Sequence, residues 1–131
     1  MSTGSRDKKP GAGKGMWPVF AVAFAGIGNA LKQERNMRIH ALSSAVVIAA
    51  GACFSLSRIE WMFIILAIGG MFALELINTS IERAVDLSTE EWHPLAKQAK
   101  DAAAGAVLVF AFASAALGAI IFLPKIWALF Q

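Results

Sequence analysis

Three long apolar stretches dominate this chain and restrict what it can fold into. They cover residues 39–56, 61–82 and 102–123, and the first and the third contain no Asp, Glu, Lys or Arg. Each is close to the roughly 20 residues that a helix needs to cross about 30 Å of hydrocarbon. With 57% hydrophobic and 16% charged residues, the chain is also too apolar for an ordinary soluble domain. The sequence therefore predicts an all-α membrane protein with three transmembrane helices.

The segment before the first apolar stretch has two different parts. Residues 1–15 are polar and rich in Gly and Lys, which predicts a disordered cytoplasmic tail. Residues 17–38 repeat apolar residues on one helical face, namely Phe20, Phe24, Ile27 and Leu31. This pattern indicates an amphipathic helix lying in the membrane interface, and a weak first transmembrane span is the alternative. Residues 16–131 then form a single domain.

The basic residues are distributed unevenly between the two sides of the predicted spans. Seven Lys or Arg residues precede the first span and three lie between the second and the third, against one in the first link and one after the last span. The positive-inside rule therefore places the N-terminus and the second link in the cytoplasm. No basic stripe interleaved with aromatic residues is present, so nucleic acid is not an expected partner. Three helices are few for enclosing a polar site, which favours a homo-oligomer.

Polar residues on the second span are the strongest functional signal. Glu75, Asn78 and Glu82 share one helical face, and Asp86 continues it if the helix runs on. An ionised carboxylate facing lipid costs on the order of 2–3 kcal/mol, so Glu75 must face a protein interior or a polar cleft, or stay protonated. Glu75 thus suits proton transfer, and the shallower Glu82 suits a hard cation such as Mg²⁺. The alternative is that Glu75 and Asn78 only join helices by hydrogen bonds.

Two further clusters flank the spans. Glu34 and Arg38 are spaced as an i, i+4 pair before the first span, and they could instead be ordinary interfacial charges. The second link contains EEWHPLAKQAKD, where Lys100 could contact phosphate as a point charge. A solvated surface helix within a link of residues 83–101 is the alternative for that segment.

The stretch ELINTSIERAVD, followed by WHPLAKQAKDAAAGAVL, resembles the small integral-membrane prokaryotic diacylglycerol kinase family. The resemblance covers about residues 20–127 of this chain. ERNMRIH, IEW and FLPKIW are similar to the undecaprenol kinase branch of that family. The resemblance therefore favours undecaprenol over diacylglycerol as the lipid substrate.

The resemblance also implies an architecture and a reaction. It implies a homotrimer with shared active sites in the bacterial inner membrane, which transfers the γ-phosphoryl group of ATP to a lipid hydroxyl on the cytoplasmic side with Mg²⁺ as cofactor. Glu75 would be the general base and would contact the substrate together with Arg38. Asn78 would orient either the substrate or the base. Glu34 and Glu82 would bind the metal–ATP complex. The remaining expected ATP contacts are Asp86, Glu91, Trp92, His93, Lys100 and Asp101.

Two other function classes fit the residues without the resemblance. A small proton-coupled transporter would use Glu75 as its intramembrane carboxylate and would not consume ATP. A structural or pore-forming oligomer would lose nothing beyond assembly when Glu75 is replaced by Gln. Clustering of Glu34, Glu82 and Lys100 on one side of the membrane favours the kinase.

Overall fold

The computed structural model describes residues 15–131, which form four α-helices and one short 3₁₀ helix with no strand in that range. The elements are α1 (Trp17–Gln33), α2 (Arg35–Cys53), α3 (Arg58–Ser88), α4 (Pro94–Trp127) and the 3₁₀ helix Ala128–Phe130. The predicted all-α class is confirmed. The tail predicted for residues 1–15 lies, apart from Gly15, outside the described residues.

The predicted surface helix is too long at its C-terminal end. It was expected to cover residues 17–38, but α1 ends at Gln33 and Glu34 has an extended backbone with φ −95° and ψ 122°. Residues 35–38 belong instead to the first turn of α2. The apolar face of α1 ends at Leu31, and the helix is interrupted at Glu34 before α2 begins. The expected arrangement, with a surface helix followed by a transmembrane helix, would require such an interruption.

A tight turn connects α2 to α3 and is closed by a reciprocal cap. Ser57 N donates to Glu60 Oε2 at 2.7 Å, and Glu60 N donates to Ser57 Oγ at 3.3 Å, which is a capping box. Ser55 in this turn has a positive φ of 48°. We call this end of the molecule, at residues 54–57, the turn end.

The main apolar core lies at the turn end. Its buried members are Leu56, Ile64 and Ile121. Phe54 and Phe122 pack against this core, with their rings edge to face at 6.1 Å. An ion pair of 3.1 Å between Lys125 Nζ and Glu60 Oε1 joins the end of α4 to the start of α3. The two longest helices are thereby held antiparallel.

The helices α3 and α4 are longer than the predicted spans 61–82 and 102–123. They contain 31 and 34 residues, or roughly 46 and 51 Å at about 1.5 Å per residue. Both predicted spans lie inside these helices, and the non-helical link between them is residues 89–93, shorter than the polar link expected for residues 83–101. The extension of α3 past residue 82 contains no Gly or Pro. Pro94 stands in the first turn of α4, where its missing N–H costs little. Pro124 lies inside α4 near its C-terminal end. We call this end of the molecule, at residues 89–93, the link end.

Among the described residues, α3 and α4 are long and apolar enough to cross a membrane. In their most apolar segments only 28% and 6% of the residues, respectively, are buried within the described chain. Most of the surface of these segments is therefore not covered by residues 15–131. The shorter α2 is not apolar enough over its length to be such a helix, because its first turns carry Arg35, Arg38 and His40. Its role as a third span remains a prediction.

Candidate active site

The predicted polar face exists on α3 and is graded from buried to exposed. Glu75 is 2% exposed and Asn78 is 7% exposed, whereas Glu82 is partly buried and Asp86 is exposed. Because α3 continues to Ser88, Asp86 stays on this face, as the helical spacing predicts. Thr79, which was not among the predicted site residues, is also buried at 6% exposure. The face therefore leads from the protein interior towards the link end.

Hydrogen bonding on this face leaves two buried acceptors. Asn78 Nδ2 donates to Glu82 Oε1 at 3.1 Å, which orients both side chains. Glu75 Oε2 and Asn78 Oδ1 are buried and receive no hydrogen bond from residues 15–131. An unsatisfied buried polar atom costs about 1–3 kcal/mol. Either of these oxygens is therefore suited to accept the one hydrogen bond that a hydroxyl group entering the site can donate.

Glu34 reaches this region from the junction between α1 and α2. Its Oε1 forms a 2.9 Å ion pair with Arg83 Nη2, and the same nitrogen donates to Gln33 Oε1 at 2.9 Å. Since Arg83 follows Glu82 directly in α3, the ion pair brings Glu34 to the same level along the helix as Glu82, although neighbouring helical residues point in different directions. Neither Arg83 nor Gln33 was predicted, because about 50 residues separate them in the chain.

The pair predicted between Glu34 and Arg38 does not form. The i, i+4 spacing brings side chains together only on a continuous helix, and Glu34 lies outside α2. Arg38 is exposed and makes no ion pair with any residue from 15 to 131. Its expected contact with a substrate stays a prediction.

A second group of predicted residues lines a cleft at the link end. The cleft has a volume of about 360 Å³ and lies between the ends of α3 and α4. Six residues expected to contact nucleotide line it, namely Asp86, Glu91, Trp92, His93, Lys100 and Asp101. His93 also caps α4, because its Nδ1 accepts a hydrogen bond from Leu95 N at 3.2 Å. The structure thus gathers in one cleft residues that the sequence places on two helices and a link.

Lys100 connects this cleft to the polar face of α3. Its Nζ donates to Asp86 Oδ1 at 2.8 Å. This hydrogen bond raises the pKa of the Lys100 ammonium above its ordinary value, and the charges of Asp86 and Glu82 act in the same direction against the effect of burial. Lys97 and Asp101 form a second ion pair beside it. Lys100 therefore carries a positive charge within electrostatic reach of Glu82.

The carboxylates fit a cation that also binds phosphate. No group of three or more His, Cys, Asp or Glu side chains suited to a metal ion occurs within residues 15–131. Glu34 and Glu82 each use Oε1 in the contacts described above, which leaves a second oxygen on each. Mg²⁺ is commonly bound by one or two carboxylates together with substrate phosphates. The donor set suits a metal–nucleotide complex better than a metal held by protein alone.

The comparisons with known proteins cover the whole candidate site. The family model described as prokaryotic diacylglycerol kinase matches residues 21–122. An undecaprenol kinase of Bacillus subtilis is 55% identical over 107 residues, which is 82% of this chain and 87% of the relative. A diacylglycerol kinase of Synechocystis is 38% identical, with 92% of this chain and 76% of the relative covered. One of Helicobacter pylori is 35% identical, with 78% and 82% covered.

Proposed function

Because this chain belongs to the prokaryotic diacylglycerol kinase family and is a lipid kinase, we propose that it phosphorylates the hydroxyl group of undecaprenol with MgATP. The identity of 55% to an undecaprenol kinase, against 38% and 35% to diacylglycerol kinases, supports this substrate. Diacylglycerol is the second candidate substrate, because the relatives at 38% and 35% identity are named diacylglycerol kinases. The transporter and pore alternatives are set aside, because the family consists of kinases.

The buried carboxylate of Glu75 carries the mechanistic proposal. Its Oε2 has no hydrogen-bond donor among residues 15–131, so it can accept the proton of a lipid hydroxyl. The deprotonated oxygen then forms a bond to the γ-phosphorus while the bond to the β,γ-bridging oxygen breaks and ADP leaves. Glu75 holds the proton until it passes to solvent. General base catalysis of this kind needs a carboxylate within hydrogen-bond reach of the attacking hydroxyl.

Asn78, Glu82 and Glu34 would arrange the other side of the reaction. Asn78 holds Glu82 by the 3.1 Å hydrogen bond, which would keep the Glu82 carboxylate oriented. Glu34 and Glu82 would hold Mg²⁺ through their second oxygens. When bound, Mg²⁺ would neutralise charge on the phosphate oxygens during transfer. Because phosphoryl transfer depends mainly on positioning and charge neutralisation, a few well-oriented side chains suffice.

The cleft at the link end would hold the nucleotide. Lys100 already carries a charge that suits a phosphate group, and its partner Asp86 is 66% exposed and so can release it. Trp92 is 77% exposed, which leaves its indole ring accessible to a ligand in the cleft. Glu91, His93 and Asp101 complete the lining. A nucleotide here would lie about one turn of α3 from Glu82, with Glu75 about two turns further along the same face.

The proposed architecture is a homotrimer of three-span protomers with a cytoplasmic N-terminus in the bacterial inner membrane. The small buried fraction of α3 and α4 supports it, because neighbouring copies would cover part of the apolar surface. Active sites on the cytoplasmic side, shared between subunits, would receive ATP from the aqueous phase. The lipid alcohol would arrive laterally from the bilayer.

Phosphate transfer from labelled ATP tests the proposal. The purified protein in mixed micelles is offered undecaprenol and diacylglycerol, separately and in competition, with and without Mg²⁺. We expect Mg²⁺-dependent labelling with preference for undecaprenol. Preference for diacylglycerol would correct the substrate, and no labelling of either lipid by folded protein would contradict the function.

A further inference from the structure

Glu34 lies at the break between two helices and is not oriented by either of them. Its backbone is extended, and its side chain makes no capping hydrogen bond to α2. Only its main-chain N–H closes α1, by donating to Ala30 O at 2.8 Å. The direction of the carboxylate therefore depends on a partner elsewhere in the fold.

Arg83 is that partner. Its Nη2 has two protons and two acceptors, Glu34 Oε1 and Gln33 Oε1, both at 2.9 Å. One guanidinium group thus ties the last residue of α1 and the residue at the break to α3. Because Arg83 is adjacent to Glu82 in the chain, the ion pair fixes the Glu34 carboxylate to the same turn of α3 that carries Glu82.

We propose that Arg83 is a positioning residue that holds the Glu34 carboxylate ready for the metal–nucleotide complex, an inference that rests on the proposed function. Arg83 occupies Oε1 of Glu34 and leaves the other oxygen for the cation. Without Arg83, the Glu34 side chain is free to rotate at a non-helical position. Binding of the metal–nucleotide complex must then also order that side chain, which lowers the affinity.

A purely structural role does not account for this contact. The side chains of Arg83 and Glu34 are 48% and 32% exposed, and exposed ion pairs add little to stability. Loss of Arg83 should therefore leave the protein folded. Its effect should be confined to the Michaelis constant for MgATP, with little change in turnover at saturation or in the constant for the lipid.

Steady-state kinetics of Arg83→Gln, Arg83→Lys and the control Arg58→Gln test the inference. Arg58 is exposed and lies in the same helix at the turn end, so Arg58→Gln removes the same charge far from the site. We expect Arg83→Gln to raise the Michaelis constant for MgATP about tenfold, as is common when a residue supporting a metal ligand is lost. Arg83→Lys should restore part of the affinity, and Arg58→Gln should behave as the wild type.

A double-mutant cycle with Glu34→Gln shows whether Arg83 acts through Glu34. It is measured as the Kd of a non-hydrolysable MgATP analogue, so that it needs no turnover. We expect Arg83→Gln to have little further effect once Glu34 is Gln. Additive effects would instead mean that Arg83 contacts the nucleotide directly and would overturn the positioning role.

The failure of the inference can be distinguished from failure of the function. If the wild type is active and Arg83→Gln has an unchanged Michaelis constant for MgATP, the inference alone is overturned. An inactive wild type overturns the proposed function and this inference with it. Folding of Arg83→Gln is judged by its size-exclusion elution in detergent. If this variant does not fold, Arg83→Lys decides the question. A wild-type Michaelis constant for MgATP in Arg83→Lys would contradict the role of the guanidinium group.

Discussion

The side-chain amide of Asn78 donates a 3.1 Å hydrogen bond to Glu82 Oε1, one turn further along α3. This bond links the buried part of the site to its partly exposed part. It leaves Asn78 Oδ1 without a donor from residues 15–131 and next to the buried Glu75 on the same face. One helix therefore holds a buried hydrogen-bond acceptor and a partly buried carboxylate in a fixed relation.

Glu75→Gln should abolish lipid phosphorylation while the protein still folds and binds nucleotide. The amide has nearly the same shape, but it cannot take the proton from the attacking hydroxyl, and general base catalysis contributes about 10²–10⁴-fold. The measurement is turnover with labelled ATP, with size-exclusion elution and analogue binding as checks. Glu90→Gln, which changes an exposed glutamate of the link, is the matched control. Near-normal turnover in Glu75→Gln would remove Glu75 as the base.

Glu82→Gln should increase the Mg²⁺ concentration required for activity. The substitution removes a negative charge from the cation site while keeping an oxygen that Asn78 can still contact, and loss of a metal ligand weakens binding by at least about tenfold. Activity is measured during a Mg²⁺ titration at constant ATP. A requirement equal to that of the wild type would exclude Glu82 as a ligand.

The ion pair between Lys100 and Asp86 should give nucleotide binding an alkaline limit. Because the pKa of Lys100 is raised in the folded protein, mainly by its hydrogen bond to Asp86, its contribution is complete below the ordinary lysine value of 10.5 and disappears as pH rises through the raised value. We expect the ratio of the Kd values of Lys100→Met and wild type for an ATP analogue to be constant from neutral pH up to that region. The ratio should then fall towards one. A ratio that falls near neutral pH would contradict this role of Lys100.

Gly51→Ala should destabilise the protein without affecting the site. A Cβ atom at Gly51 would lie 2.8 Å from the Trp61 ring and 3.0 Å from Leu56 Cδ1, and overpacking of this kind costs about 1–3 kcal/mol. Gly69→Ala is the matched control, since a Cβ there meets nothing within 4 Å and Ala favours a helix. Resistance to unfolding by SDS should fall in the first variant only. Equal resistance in both variants would contradict the close packing at Gly51.

The order of residues on α3 was predictable because it depends only on local geometry. A helix places Glu75, Asn78, Glu82 and Asp86 on one face whatever surrounds it. The lengths of α3 and α4 were less predictable, since the sequence pattern marks where apolar residues end and not where the helix ends. Polar turns continued both helices past the apolar segments and shortened the link to residues 89–93.

By itself, the sequence determined that the chain is all-helical, that its apolar segments suit a membrane, and which carboxylates share a face. The tertiary structure alone decided that α1 ends at Gln33, that Glu34 pairs with Arg83 instead of Arg38, and that Asp86, Lys100 and the link line one cleft. The features that the sequence determined follow from composition and from the helical period, both of which depend only on residues close together in the chain. The others depend on how α1 and α4 pack against α3, which brings together residues too far apart in the chain for any local pattern to relate them.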